Sequence, residues 1–326
     1  MMEQISSNFF RMEIPLPKSP LKTLNSYVIK GDDRNLIIDT GLNREQCWEA
    51  FQQGIKELDI NLDETDFFLT HMHADHCGLI SKLATSSSNV YCSMKDAEGL
   101  MAGWDWPRIL SFAHQQGFPE YDDIMMNHPN VNFKPDPDFA TKLRIVEEGD
   151  IISIGPYSFE CLATPGHTRG HMCLYEKNSK YLIAGDHLLH EITPNITLWT
   201  EGINPLKEYL ESLDKVYDME ISCVLPGHRT LFCDHRKRID ELRKHHHERC
   251  LEILTILKKG RQSAYDIASQ MQWDIDCSNW EDFPVPQKWF ATGETNSHLK
   301  YLEENSLINR IYNNNHVEYS LGNGGA

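Results

Sequence analysis

The sequence predicts an α/β protein, a layered sandwich of strands and helices with a small helical domain after it. Three observations carry that expectation. Strand-like and helix-like segments alternate through the first 235 residues, apolar runs there end repeatedly in a Gly beside a His or Asp, and the composition turns charged and helical beyond Leu231. The expected division is therefore 1–235 for the sandwich and 236–326 for a linker helix and second domain.

Residues 24–29 and 35–39 read as a hairpin turning through Gly31-Asp32-Asp33. Asn43 is the expected N-cap of a following helix, in which Cys47, Phe51, Ile55 and Leu58 recur at helical spacing. Residues 66–70 read as a strand, and a second helix is expected from Gly78 through Leu83, its N-terminus facing the polar run before it. Residues 97–140, with Trp104, Trp106, Phe112, Phe118 and the pair Met125-Met126, do not read as sandwich core. Two readings stay open for this insertion: a lid or pocket wall favouring a substrate with an apolar acyl or aromatic part, or a helical pair packed for stability.

In the last third, a charged helix is expected from Arg238 to Lys259, ended by Gly260. It contains His245-His246-His247, which cannot share one helix face and read as a solvated stretch. Short helices are expected over 263–271 and 295–303, then a hairpin from Ile308 to Tyr319 turning at Asn313-Asn314-Asn315.

The chemistry concentrates in His71-Met72-His73-Ala74-Asp75-His76, three imidazoles and a carboxylate directly after a strand. Such a run is costly to fold around unless it binds something, and metal ligation is the natural use of neutral imidazole and ionised carboxylate. Further donors follow in segments of one type: Thr164-Pro165-Gly166-His167, Ala184-Gly185-Asp186 and Pro226-Gly227-His228. Strands ending at one edge of a sandwich bring such donors to one point, and Gly and Pro turn the chain sharply beside them. Five histidines and two carboxylates exceed the needs of one tetrahedral zinc, so two divalent metal ions are expected. Zinc heads the candidates, with iron and manganese also suited to the donor set.

The pattern resembles the metallo-β-lactamase superfamily, whose signature is a His-x-His-x-Asp-His run, then a distant His, a bridging Asp and a last His. That resemblance implies a four-layer αβ/βα sandwich in which His71, His73 and His167 hold one metal, Asp75, His76 and His228 hold the other, and Asp186 bridges them. It also makes Asp39 the acidic residue that orients a ligand histidine through its other ring nitrogen. The segment after residue 236 resembles, on less specific residues, the winged-helix module appended to a branch of these hydrolases. On that module Lys300 is followed by Glu303 and Glu304, which favours packing or homodimerisation over nucleic-acid binding.

The net charge of −17 divides as −16 over residues 1–235 and −1 over 236–326. An acidic catalytic domain repels a polyphosphate backbone, which turns the expectation from nucleic acid toward a small-molecule substrate with an acyl group. Nine cysteines without tight pairing, no export signal and no long apolar run point to a cytoplasmic protein without a membrane role. The expected reaction is attack of hydroxide on the carbonyl of a thioester, ester or lactone, as the resemblance to the glyoxalase II and lactonase branches implies, with Asp75 orienting the nucleophile. A metal-dependent ribonuclease and a non-catalytic metabolite sensor are the alternatives. His190, four residues past Asp186, reads either as a proton donor or as a packing histidine behind the site.

Overall fold

The computed structural model describes residues 1–121, 135–136, 138–275, 277–313 and 316–322. The pair Met125-Met126 and Asn314-Asn315 of the expected turn lie outside them. The chain divides into two compact units, one formed by 1–103, 133–194 and 212–238, the other by 104–132, 195–211 and 239–326.

Two sheets organise the first unit. The larger runs β1 (Met2–Ser6), β2 (Phe9–Pro15), β3 (Thr23–Lys30), β4 (Asn35–Ile38), β5 (Thr65–Phe68), β6 (Val90–Ser93) and β7 (Leu143–Val146), in that spatial order. Its first four strands pair antiparallel and β4 to β7 pair parallel. The smaller has the order β12-β11-β10-β9-β8, with β8 (Ile151–Ile154), β9 (Tyr157–Ala163), β10 (Met172–Glu176), β11 (Tyr181–Gly185) and β12 (Cys223–Pro226).

Tyr27, Ile29, Leu36, Ile38 and Phe68 of the first sheet meet Phe159, Cys161, Leu174, Ile183 and Leu225 of the second in one buried cluster. The alternate residues Val28, Ile37 and Phe67 face away from it, onto α1 (Glu45–Leu58), whose Cys47 and Phe51 are buried as the helical spacing predicts. Period-two side chains on the strands thus feed two cores, one between the sheets and one beneath the helix.

The expected helix from Gly78 differs. Two single turns stand there instead, α2 (Ala74–Cys77) and α3 (Ile80–Leu83). A Cβ on Gly78 would lie 2.7 Å from Asn43 N and 2.8 Å from Gly41 O, so only glycine fits between the two turns, where Gly78 keeps a helical backbone and Leu79 drifts to φ −89°, ψ −3°. Next along the chain come α4 (Met94–Ala102), α5 (Trp106–Gln115), α6 (Phe139–Lys142) and α7 (Pro205–Tyr217).

In the second unit, α8 (His235–Leu257) contributes its later turns, followed by α9 (Ala264–Ala268), α10 (Val285–Glu304) and the antiparallel pair β13 (Ile308–Asn313) and β14 (His316–Leu321). Ile253, Ile267, Leu299, Ile308 and Val317 form its core. A second cluster joins Leu110 and Phe118 of the 97–140 insertion to Trp289, with Trp106, Trp199 and Tyr265 packed around them. Those aromatic side chains are spent on the unit's own interior, which is why residues 104–132 group with the C-terminal segment.

Two expectations are corrected here. Helix α10 begins at Val285 rather than Thr295, because Gly293 is no breaker: a Cβ there would lie 2.7 Å from Trp199 Nε1, and the helix needs the missing side chain to admit the indole. His246 is not solvated but 1% exposed, its Nδ1 3.1 Å from Nε2 of His298 on α10.

Candidate metal centre

His71, His73, His167, Asp186 and His228 follow the ends of strands, and Asp75 and His76 lie on α2. Strands β4 and β5 run parallel, which sets Asp39 beside the turn leading to His71. Strands β11 and β12 also run parallel, which sets Asp186 beside His228. Strand β9 pairs antiparallel with β10, as β11 does, so His167 emerges at the same edge. Gly227 permits the closest approach: a Cβ on it would lie 2.7 Å from Asp186 Oδ1 and 2.8 Å from His76 Cε1.

The donors converge in three overlapping groups that could each hold an ion: His71, His73 and His167; His71, His76 and Asp186; and Asp75, His76 and His228, the donor atoms of each within 4.8 Å of one another. In the first, His73 Nδ1 lies 3.1 Å from His71 Nε2 and 2.9 Å from His167 Nε2. In the last, His76 Nε2 and His228 Nε2 are 3.2 Å apart, with Asp75 Oδ2 3.6 Å from the latter. Asp186 reaches both ways: Oδ1 is 3.5 Å from His76 and from His228, and Oδ2 is 3.5 Å from His167.

The hydrogen bonds around the cluster test whether a cation fits. His76 Nδ1 donates to Asp39 at 2.7 Å and His228 Nδ1 donates to the Thr23 carbonyl at 2.8 Å. With their Nδ1 protons committed outward, the neutral forms of His76 and His228 turn Nε2 lone pairs toward each other, and either a proton or a metal cation between them satisfies both. Asp186 Oδ1 is buried without a hydrogen-bond partner, another acceptor facing the same space. Burial opposes charge on His76, yet the Asp186 and Asp39 carboxylates outweigh it and hold the imidazole well above its usual range. Burial and the neighbouring imidazoles push His71 well below that range. The two carboxylates thus favour positive charge at this point, whether a proton or a metal cation carries it, while burial keeps His71 neutral, as a ligand must be.

Of the residues expected from sequence, Asp39 sits behind His76, also accepting from Thr70 N at 2.9 Å and Thr70 Oγ1 at 2.7 Å. Its backbone has φ 59°, a left-handed turn that aims the carboxylate. His190 is not brought among the donors. It is exposed, stacked on Phe232 at 4.9 Å, with Nδ1 3.4 Å from Thr230 Oγ1, which is the packing reading and leaves the proton-donor reading without a contact.

Two residues went unnoticed in the sequence. Asp96 is 2% exposed and accepts from Met72 N at 2.9 Å, Thr168 Oγ1 at 2.8 Å and Gly170 N at 2.9 Å, tying the His71–His73 turn to the His167 turn. Burial pushes its carboxyl up to about 6 against those three hydrogen bonds. Its sequence signal, Ser93-x-x-Asp96, is that of a helix start, since Ser93 Oγ accepts from Asp96 N. The other is His171, fully buried, whose Nε2 accepts from Asp186 N at 3.1 Å and whose Nδ1 meets Thr164 Oγ1 at 2.8 Å, fixing the backbone of the bridging carboxylate.

A family model described as the metallo-beta-lactamase superfamily matches residues 22–228, which contain every donor above. The chain belongs to the metallo-β-lactamase superfamily. Within it, the chain is similar to a probable metallo-hydrolase YqjP of Bacillus subtilis, 23% identical, covering 90% of this chain and 92% of that one. It is also similar to the human acyl-coenzyme A thioesterase MBLAC2, 22% identical over 64% of this chain and 74% of that one. Among solved structures, a metallo-beta-lactamase family protein of Thermus thermophilus is 27% identical, with a TM-score of 0.76 over 98% of this chain and all of the other. The superfamily places this chain among metal-dependent hydrolases of mixed α/β fold. Among the described residues, no helix is long and apolar enough to cross a membrane.

Proposed function

We propose that the protein is a dinuclear metal-dependent hydrolase of a small carboxylic thioester, ester or lactone. The observation that carries this reading is the pair of facing imidazole lone pairs of His76 and His228 beside Asp186, one of three donor groups drawn from both sheets. His71, His73 and His167 would hold one ion and Asp75, His76 and His228 the other, with Asp186 between them. When bound, such ions, zinc foremost, lower the pKa of water to near neutrality and polarise a carbonyl.

The chain's own residues do the rest. Asp75 reaches the cluster through Oδ2, where it orients the attacking oxygen and takes up its proton. Asp39 and His171 hold His76 and Asp186 in place, so their geometry is set before substrate arrives. Similarity to the human acyl-coenzyme A thioesterase supports an acyl substrate, and the −16 charge of residues 1–235 disfavours a phosphate backbone. Helices α9 and α10 with the β13–β14 pair form a winged-helix-like module that serves packing or dimerisation. Its Lys300 is held by Glu303 at 3.2 Å and Glu304 at 3.4 Å, which removes a basic contact for nucleic acid. Nine reduced cysteines fit a cytoplasmic setting.

The test is hydrolysis of an acyl-coenzyme A thioester, a homoserine lactone and a structured RNA by metal-replete protein, beside Asp75→Ala. Turnover of the thioester or lactone, lost by about 100-fold or more in Asp75→Ala while at least one metal is retained, is the expected outcome. Cleavage of RNA alone would overturn the proposal.

A further inference from the structure

Cys223 and Cys233 stand apart from the other seven cysteines. Six of those are buried, Cys277 is half-buried, and Cys233 is the one fully exposed thiol, with half-buried Cys223 beside it. Burial raises the Cys223 thiol, and the Cys233 thiol acts directly on it, raising it further. The backbone explains why. Val224 and Phe232 form an antiparallel bridge and exchange both hydrogen bonds, Val224 N to Phe232 O at 2.7 Å and Phe232 N to Val224 O at 3.3 Å. Extending that isolated bridge by one residue would set Cys223 opposite Cys233 as a non-hydrogen-bonded pair, for which Cα atoms are typically about 4.5 Å apart with side chains on one face. That separation falls within the range of roughly 4.4–6.8 Å that a disulfide spans.

We propose that Cys223 and Cys233 form a redox-active dithiol, oxidised by hydroperoxides to a cross-strand disulfide that closes the loop bearing His228. The exposed Cys233 sulfur attacks the peroxide and breaks its O–O bond, leaving a sulfenic acid; the proton from the thiol and the departing hydroxide form one water. The Cys223 sulfur then displaces the hydroxyl of the sulfenic acid, its proton leaving with that hydroxyl as a second water. Two thiols are oxidised and one hydrogen peroxide is reduced to two waters. A dithiol reductant reverses the change by exchange. The partners differ in access as the roles require: Cys233 is exposed and meets the oxidant first, and half-buried Cys223 is left to resolve the sulfenic acid.

The sequence allows a direct readout, because Arg229 lies between the two cysteines and trypsin separates Val216–Arg229 from Thr230–Arg236. Full-length, metal-replete protein is exposed to hydrogen peroxide, its remaining thiols are alkylated, and the digest is read by mass spectrometry. The expected result is the two peptides joined and lighter by two hydrogens, separated again by dithiothreitol, and absent in Cys223→Ser and in Cys233→Ser. In Cys223→Ser, Cys233 should instead accumulate as a sulfenic acid trapped by dimedone. Wild-type protein in which Cys233 is oxidised to an acid while Cys223 remains alkylatable, or in which either cysteine links elsewhere, would overturn the proposal. The readout is independent of turnover, so it stands or falls apart from the hydrolase assignment.

Discussion

Asp96→Ala separates stability from metal binding in a way the structure allows to be worked out. The carboxylate accepts three hydrogen bonds, and truncation strands Gly170 N in a buried position while Met72 and Thr168 are partly reachable by water. At about 1–3 kcal/mol for each buried orphan and less where water enters, the loss is about 2–5 kcal/mol. A gain opposes it. The Asp96 carboxyl rises from 3.8 to about 6, so near pH 7 the fold carries a net penalty of about 3 kcal/mol for the ionised group even with those three hydrogen bonds made, and Ala carries none. The net change in stability of metal-free protein near pH 7 is therefore small.

The loops holding His71, His73 and His167 nevertheless lose their common tie, and loss of such an outer partner costs about 10–100-fold in metal affinity. The pH dependence has a definite sign. A raised carboxyl contributes stability that is fully present below about 3.8 and is lost as pH rises through about 6, so wild type exceeds the variant most in acid. The assay is zinc per chain by elemental analysis against a graded chelator, with urea unfolding of metal-free protein from pH 4.5 to pH 7.5. The first group should empty before the second. A variant that retains both ions with wild-type affinity would refute the role given to Asp96.

Two further outcomes are expected. Gly227→Ala forces a methyl against Asp186 and His76, and should lower metal content at a fixed chelator concentration by at least about tenfold in affinity while far-ultraviolet circular dichroism is unchanged; wild-type metal content would contradict the packing described. The His246–His298 pair is held below its usual range, chiefly by burial, so its contribution is present above about 6.5 and lost as pH falls; His246→Leu should flatten the decline of the urea midpoint between pH 7 and pH 5, and an unaltered slope would show that the pair does not govern it.

The donors were legible because His71, His167, Asp186 and His228 each follow an apolar strand, the last three beside a Gly, and His73, Asp75 and His76 complete the run begun by His71. Asp96 was not, because its acceptor role exists only once the turns after β5 and β9 meet around it. Strands β1 and β2 were missed for a related reason: Pro15 and the charges of Arg11 and Glu13 obscure the alternation of Met12 and Ile14. Helix α10 misled most. Thr292, Thr295, Asn296, Ser297 and His298 are all buried, so no apolar stripe marks its inward face, and the partner imidazole of His246 could not be inferred from periodicity.

The spread of the donors also sets when the centre can form. His71 to His76 leave the ribosome long before His167, Asp186 and His228, and the two sheets that carry them must dock before any group is complete. Pairings of such sequence separation are slow to close, so the centre matures late in folding. An ion that arrives early meets only the first histidine run and is held weakly, as by an unfolded chain. Tight retention of metal is therefore a certificate that both sheets have assembled, and its loss is an early sign that they have begun to part.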